Sequence, residues 1–542
     1  MSGSPLSRVR VVTAALVLPL LLTTAACAAA GGDPAADAGP PRPGGTLRLG
    51  ISSNPDCVDP QQYGTNAALN VGRQLVDSLT DQDPKTGEIK PWLARKWDVN
   101  ADSTAFTFQL REGVTFSDGA PLDAAAVKAN FDGIKALGAK AQLASGYLAA
   151  YQASTVLDPH TVRVEFGAPS AQFLQASSTM SLGLLSPAAY RKTPDQRCQG
   201  DGLIGSGPFV FRSFRQNQEI VLAKRAGYTW GSSLFRHQGE AYLDQIDYKI
   251  VPEPGVRTGG LASGQLDAIT DVQPVDEPQF AANGFTEPVR PNPGVVFNLH
   301  ANTTRGVLTD EKVRQAVVKG INRPEVTSTV LTGNYRPATS ILGSATPLHA
   351  DLSAQLAYDP NGASALLEGA GWQPGPDGIR TKGGQRLTAT VQFSPVFNQN
   401  RSVLELVQQQ LRKIGFDLRI DQRTTAETVQ AQQSGDYDYI WYNVTRADPD
   451  ILRGIFSTKA SNRSKLPAGN PLDAALDDQA STVDAAKRRP AVELTQKLIV
   501  EHGYAVPVFE LTQVLAVGPQ AHAVDFEASS RLQLFDTWVS GA

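Results

Sequence analysis

Three cysteines, two methionines and six histidines are all that 542 residues offer by way of softer metal ligands. The histidines (His160, His237, His300, His349, His502 and His522) are scattered without ligand spacing, so no metal site can be argued from them. No GxSxG elbow, HExxH helix or GxxxxGK[ST] phosphate loop occurs. The glycine-rich run Gly202-Leu203-Ile204-Gly205-Ser206-Gly207 leads into a strand-like segment, Phe209–Phe214, which excludes a dinucleotide fingerprint. Nothing asks for bond-making, and no cofactor is expected. Neither charge is in excess: 49 Lys and Arg stand against 53 Asp and Glu, a formal net charge of −4, which leaves no basic stripe for nucleic acid. Lys487-Arg488-Arg489 reads as a solvated helix face. No uninterrupted apolar run reaches the roughly eighteen residues of a membrane-spanning helix.

What is present begins with an address. Arg8 and Arg10 precede the apolar stretch Val11–Leu22, and small residues lead into Cys27, so residues 1–26 read as a secretory signal. Thr23-Thr24-Ala25-Ala26-Cys27 resembles a bacterial lipobox, with Thr24 where leucine usually stands; the resemblance implies acylation of Cys27. Ordinary signal cleavage, with Cys27 free or discarded, is the alternative. Residues 27–44, small, polar and rich in Pro and Gly, form a flexible tether. Two acyl chains, at about 0.8 kcal/mol per buried methylene, would hold the protein stably on the extracytoplasmic face of the cell membrane. With Cys27 acylated, Cys57 and Cys198 remain as an even pair in an oxidising compartment. A disulfide between them would close a loop of roughly 140 residues, worth about 4–5 kcal/mol by chain entropy; two separate buried thiols are the alternative.

About five hundred residues follow, too many for one hydrophobic core, so at least two domains are expected. Thr46–Ile51 alternates as a first strand, and Ala67–Leu79 has helical spacing. Phe106–Leu110 alternates again, and Asp123 N-caps a helix with Leu122 and Val127 placed as a hydrophobic staple. Further strands fall at 161–166, 209–214, 220–224 and 246–251. Later come the strand Val295–Leu299, a helix capped at Thr309–Glu311, a helix opening with a Ser402/Glu405 capping box and ending at Gly415, and strands at 416–420 and 437–444. A long helical stretch over 472–501 precedes a β-rich end. This mixture without internal repeats argues for α/β architecture.

Several blocks, in order along the chain, resemble the family 5 extracellular solute-binding proteins, which include oligopeptide, dipeptide and nickel binders. They include Gly45-Thr46-Leu47-Arg48, Pro91-Trp92-Leu93-Ala94, the run Phe106–Leu122, Gly205-Ser206-Gly207-Pro208-Phe209, Leu261–Asp267, Val313-Arg314-Gln315-Ala316 and Ala370-Gly371-Trp372. The resemblance implies a two-domain periplasmic-binding-protein fold with a hinge and an interdomain ligand cleft. Its expected layout is domain I over 45–287 and 511–542, with an inserted subdomain at about 80–200, and domain II over 288–510. Pro288–Pro293 would supply one hinge strand and His502–Glu510 the other. The implied partners are a small-molecule or peptide ligand, the permease subunits of an ABC importer and the membrane lipid, with the protein itself a monomer. A peptide-sensing receptor without import, a binder of a sugar or metal chelate, and an exported hydrolase are the competing readings.

Strand alternation places Tyr437, Tyr439, Trp441 and Asn443 on one face. In the family the matching strand carries an aromatic residue into the cleft and acidic residues follow it, so Trp441, Asn443, Arg446 and Asp448 are candidate ligand contacts. Trp441 has the alternative of a core aromatic. Asp448 before Pro449 has a structural reading as a helix N-cap. The acid that binds a peptide's ammonium falls near Val444 or Thr445 in the family, and the arginine that dipeptide-type members place after the strand matching 387–393 is displaced here to Arg401. Ser52, Ser53 and Asn54, ending the first strand, are further candidates.

Overall fold

In the computed structural model, residues 39–331 and 333–541 are described. The signal, Cys27 and most of the tether lie outside them. The first strand, β1 (Thr46–Ile51), buries Leu47 and Leu49 completely by its alternation. It lies between two parallel neighbours, Gln245–Ile250 and Ala268–Ile269. Around these three, a six-stranded sheet runs from Ala516–Val517 at one edge to Glu219–Lys224 and Phe209–Arg215 at the other. This sheet forms lobe I. Two family-like blocks meet in it, since Arg48 pairs with Asp267 at 2.6 Å.

A separate four-stranded antiparallel sheet, in the order Ala94–Val99, Ala105–Leu110, Thr161–Phe166, Tyr151–Asp158, is inserted between strands of lobe I. Phe106 and Phe108 point to its buried face and meet Phe173 edge-on. The helix Ala124–Leu137 starts where Asp123 accepts the Ala126 N–H at 2.9 Å, with Leu122 and Val127 buried beside the cap. A disulfide joins Cys57 to Cys198, 141 residues apart in sequence.

Lobe II is built on a second six-stranded sheet, ordered Arg336–Pro337, Ala505–Glu510, Gly294–Ala301, Tyr439–Thr445, Thr388–Phe393, Asp417–Gln422. Its central strand Gly294–Ala301 is buried at every position, as befits a strand covered on both faces. Gly294, at φ +103°, is required by close approach, since a Cβ there would lie 2.3 Å from the Val444 carbonyl oxygen. Between the lobes Val289–Pro291 pairs antiparallel with Thr512–Val514. These two strands are the crossovers. His502–Glu510 is not the second one: Ala505–Glu510 is a fully buried strand of lobe II, and the chain crosses just after it.

Several helices depart from their expected bounds. The first, α1 (Asn66–Leu75), stops short of Leu79 because the Gly207 N–H takes the Leu75 carbonyl. A Cβ on Gly207 would stand 2.6 Å from the same carbonyl carbon. The helix Asn400–Lys413 begins before Ser402, so Ser402 and Glu405 lie inside it and form no capping box; Glu405 instead pairs with Arg401 at 3.5 Å. The stretch over 472–501 is two helices, Pro471–Ala480 and Ala485–Glu501, the second restarted by Asp484, which accepts the N–H groups of Ala486 and Lys487. Arg488 is not on a solvated face; it turns inward and is buried.

Candidate functional site

In α/β sheets, ligands gather beyond the carboxyl ends of the parallel strands, where loops converge. Here β1 and Ala268–Ile269 run side by side, and the loops that leave them are joined where the Ser52 hydroxyl donates to the Asp271 carboxylate at 2.6 Å. Those loops open on a cavity of about 690 Å³ between the two lobes, within the ~300–1,000 Å³ that single small ligands occupy. Ser52, Ser53 and Asn54 all line it. Asp56 and Asp271 line it too, each in the left-handed backbone region (φ +57° and +54°) that asparagine and aspartate tolerate best among non-glycine residues. Asp56 accepts from Asn54 and Tyr63, and Asp271 from Ser52 and Thr270. Neither carboxylate pairs with a cation among the described residues.

Two arginines reach the same wall. Arg257 spends its guanidinium on the carbonyls of Thr270, Val251, Pro252 and Asp271, and so knits the loops together. Arg531 comes from the C-terminal return to lobe I and is less fully bonded. The crossover strand contributes Thr512 and Gln513, the latter donating to Asn292 and accepting from Asn66 of α1.

The opposite wall is neutral. Lobe II presents Phe297, Tyr335 and Phe397, with the amides of Asn398, Gln399 and Asn443. The Phe397 ring leans on Phe297 and Phe509 at 5.5 and 5.9 Å. Burial pushes the Tyr335 phenol far up, so it stays a protonated donor. Gln399 reaches across to Gln273 of lobe I at 3.2 Å.

The sequence candidates divide. Asn443 lines the cavity, whereas Trp441, two residues earlier on the same face, lies behind the wall. Trp441 is 2 % exposed, stacks on Phe297 at 5.3 Å and donates its indole N–H to Asn400 at 2.8 Å. The strand runs from core to rim, so alternation gives the face but not the depth. Asp448 is a buried structural acid held by both terminal nitrogens of Arg488 at 2.6 and 2.8 Å, and the N-cap of the following helix is Asp450. Arg446 leaves lobe II altogether: its guanidinium lies 4.0 Å over the Tyr147 ring of lobe I and donates to the Leu143 carbonyl at 3.3 Å. Asp56, Asp271, Arg531, Phe297, Tyr335 and Phe397 were not foreseen. Asp271 has a sequence signal in its place four residues after the Leu261–Asp267 block, Asp56 in the loop that carries Ser52–Asn54, and Phe397 in the loop after the strand at 387–393.

Among the described residues no cluster of His, Cys, Asp and Glu could hold a metal ion, and no helix is long and apolar enough to cross a membrane.

The model of the bacterial extracellular solute-binding proteins, family 5, matches residues 88–464, well over half of the chain. The glutathione-binding protein GsiB of Salmonella paratyphi A is 28 % identical over 379 residues, covering 69 % of this chain and 68 % of that protein. The nickel-binding periplasmic protein of Escherichia coli K12 is 24 % identical over 452 residues, covering 80 % and 83 %. Among solved structures, NikA from Brucella suis in complex with Fe(III)-EDTA superposes with a TM-score of 0.79 at 24 % identity, over 92 % of this chain and all of that one. The two-lobed architecture, the cavity between the lobes and the match to the family model agree: this chain belongs to the bacterial extracellular solute-binding proteins, family 5.

Proposed function

We propose that the protein is the extracytoplasmic receptor of an ABC importer, held to the membrane through an acylated Cys27, and that it closes its lobes over a small peptide-like solute. The observation that carries this reading is the cavity itself: about 690 Å³ between the lobes, beside two crossover strands that can serve as a hinge. Asp56 and Asp271 supply the chemistry that takes an ammonium group, and Ser52, Asn54, Asn443 and the crossover strand supply donors and acceptors for a peptide backbone. The glutathione-binding relative supports a peptide-like solute. Trp441 and Asp448 act as scaffold in this reading, and Arg446 as a tie between lobes.

Native mass spectrometry of the purified protein tests it. Co-purified masses in the range of short peptides, released intact on denaturation, support the reading. A single non-peptide mass, such as a sugar or metal chelate, overturns the solute class and keeps the receptor. Conversion of an added ligand would overturn the receptor reading in favour of a hydrolase.

A further inference from the structure

We propose that Arg531 and the amino-terminal end of α1 form an anion subsite on lobe I, which takes a carboxylate or similar oxyanion of the solute. The proposal rests on the reading that this cavity holds the solute. Arg531 is 3 % exposed, yet it lines the cavity. Its Nη1 donates to the carbonyls of Ser529 and Ser530, and its Nε is buried without a partner. A buried guanidinium normally has a carboxylate to offset its desolvation, but no carboxylate among the described residues forms an ion pair with this one. Glu527 is near enough to favour the charge, but its Oε1 is occupied by the N–H groups of Ser529 and Arg531 and the Ser529 hydroxyl. Arg257 shows the contrast, being buried on the same wall with every guanidinium nitrogen bonded to carbonyl oxygen.

The second component is the positive end of α1, a ten-residue helix. Its first turn carries no acidic side chain. Thr65 accepts the Ala68 N–H through its hydroxyl, and among the described residues nothing bonds the amides of Asn66 and Ala67, both at the cavity wall. Such a helix end attracts anions through free N–H groups and aligned peptide dipoles. The two components are fixed to one another. Asn70 of α1 accepts the N–H of Leu532, the residue after Arg531, at 3.0 Å, and Gln74 bonds Leu532 and Leu534. The helix and the segment that carries Arg531 are therefore held to one another, and Asn66, Ala67 and Arg531 all line the cavity.

The test uses three probes at constant ionic strength: trialanine, its C-terminal amide, and succinate. Binding is followed by thermal shift and calorimetry on the wild type, Arg531→Gln, Arg531→Lys and Asn66→Asp. Trialanine should bind the wild type roughly ten- to a hundredfold more tightly than its amide, as expected for a charge-assisted bond. Arg531→Gln should abolish that preference and Arg531→Lys retain part of it. Asn66→Asp places a repelling carboxylate at the helix end and removes the donor to Gln513, so it should weaken both forms and the free acid severalfold more than the amide. Equal binding of acid and amide by the wild type, or a preference that survives Arg531→Gln, overturns the subsite. If neither peptide form binds but succinate protects the wild type and not Arg531→Gln, the peptide reading fails and the subsite stands. If no probe anion shifts the wild type, the subsite is overturned whatever the natural solute is.

Discussion

The two walls of the cavity differ in charge. Lobe I supplies every formally charged side chain that lines it, Asp56, Asp271, Arg257 and Arg531, while lobe II supplies aromatic rings and neutral amides. A charged wall fixes the orientation of a polar solute, and a neutral aromatic wall covers it and excludes water. Under the proposed function the solute would dock on lobe I first and lobe II would close over it. It also accounts for the two anchors that the family resemblance led one to expect, near Val444 and after Phe393. Both positions lie on lobe II, and in this chain the charges sit across the cleft.

Substitutions can break or sharpen that contrast. The largest effect is expected on stability, at a residue behind the neutral wall. Trp441→Ala removes a fully packed ring and its bond to Asn400, and should cost about 3–5 kcal/mol in urea unfolding. The folded fraction should still bind solute with near-normal affinity; a specific loss of affinity at unchanged stability would return Trp441 to the cleft. Next comes Asp271→Asn, which leaves the fold intact and should weaken a cationic-ended solute by about 1.5–3 kcal/mol, roughly ten- to a hundredfold, measured by calorimetry. Phe397→Ala on the neutral wall should be milder, about 0.5–1.5 kcal/mol, and felt mainly as faster dissociation in stopped-flow traces. Were Phe397→Ala to cost more than Asp271→Asn, the division of labour between walls would be wrong.

The last effect is read as a slope against pH and not as a single difference. Burial pushes the Asp77 carboxyl up to about 7, against the pull of Arg73, Arg225 and the donors Trp230 and Tyr228. The unfolded carboxyl ionises near ~3.9, so between about pH 4 and 7 the folded protein holds a proton that the unfolded chain has released. The stability this group contributes is full below that window and is lost as pH rises through it. Asp77→Asn should flatten the fall in melting temperature between pH 4 and 7; an unchanged profile would assign the pH dependence elsewhere. Because Asp77 lies in the core of lobe I away from the cavity, ligand affinity should not follow the same curve.

Local pattern was enough for much of the scaffold. Alternation at Thr46–Ile51 and Phe106–Leu110, the Asp123 cap and the Asp310 cap are short-range features that tertiary structure did not override. Elements that ended elsewhere did so through distant partners: Gly207 terminates α1, and Asn400 is drawn into the start of its helix by Trp441 and Ser394. The site was harder to foresee for the same reason. Ser52, Ser53, Asn54 and Asn443 follow from strand ends, which a sequence displays. Depth along a strand is not displayed, so alternation alone does not choose between cleft and core for Trp441. Arg531 sits in a short irregular segment between Ser530 (φ +61°) and Leu532, and its burial is decided by Asn70 and Gln74 more than 450 positions away. No local signal marks it.

A crystal structure of the protein with its co-purified solute tests the central claim most directly. The solute's anionic group should lie within hydrogen-bond distance of Arg531 and the first turn of α1, its cationic group at Asp271 or Asp56, with only apolar or amide contacts from lobe II. A solute whose charged groups face lobe II, with Arg531 and Asp271 untouched, would contradict it.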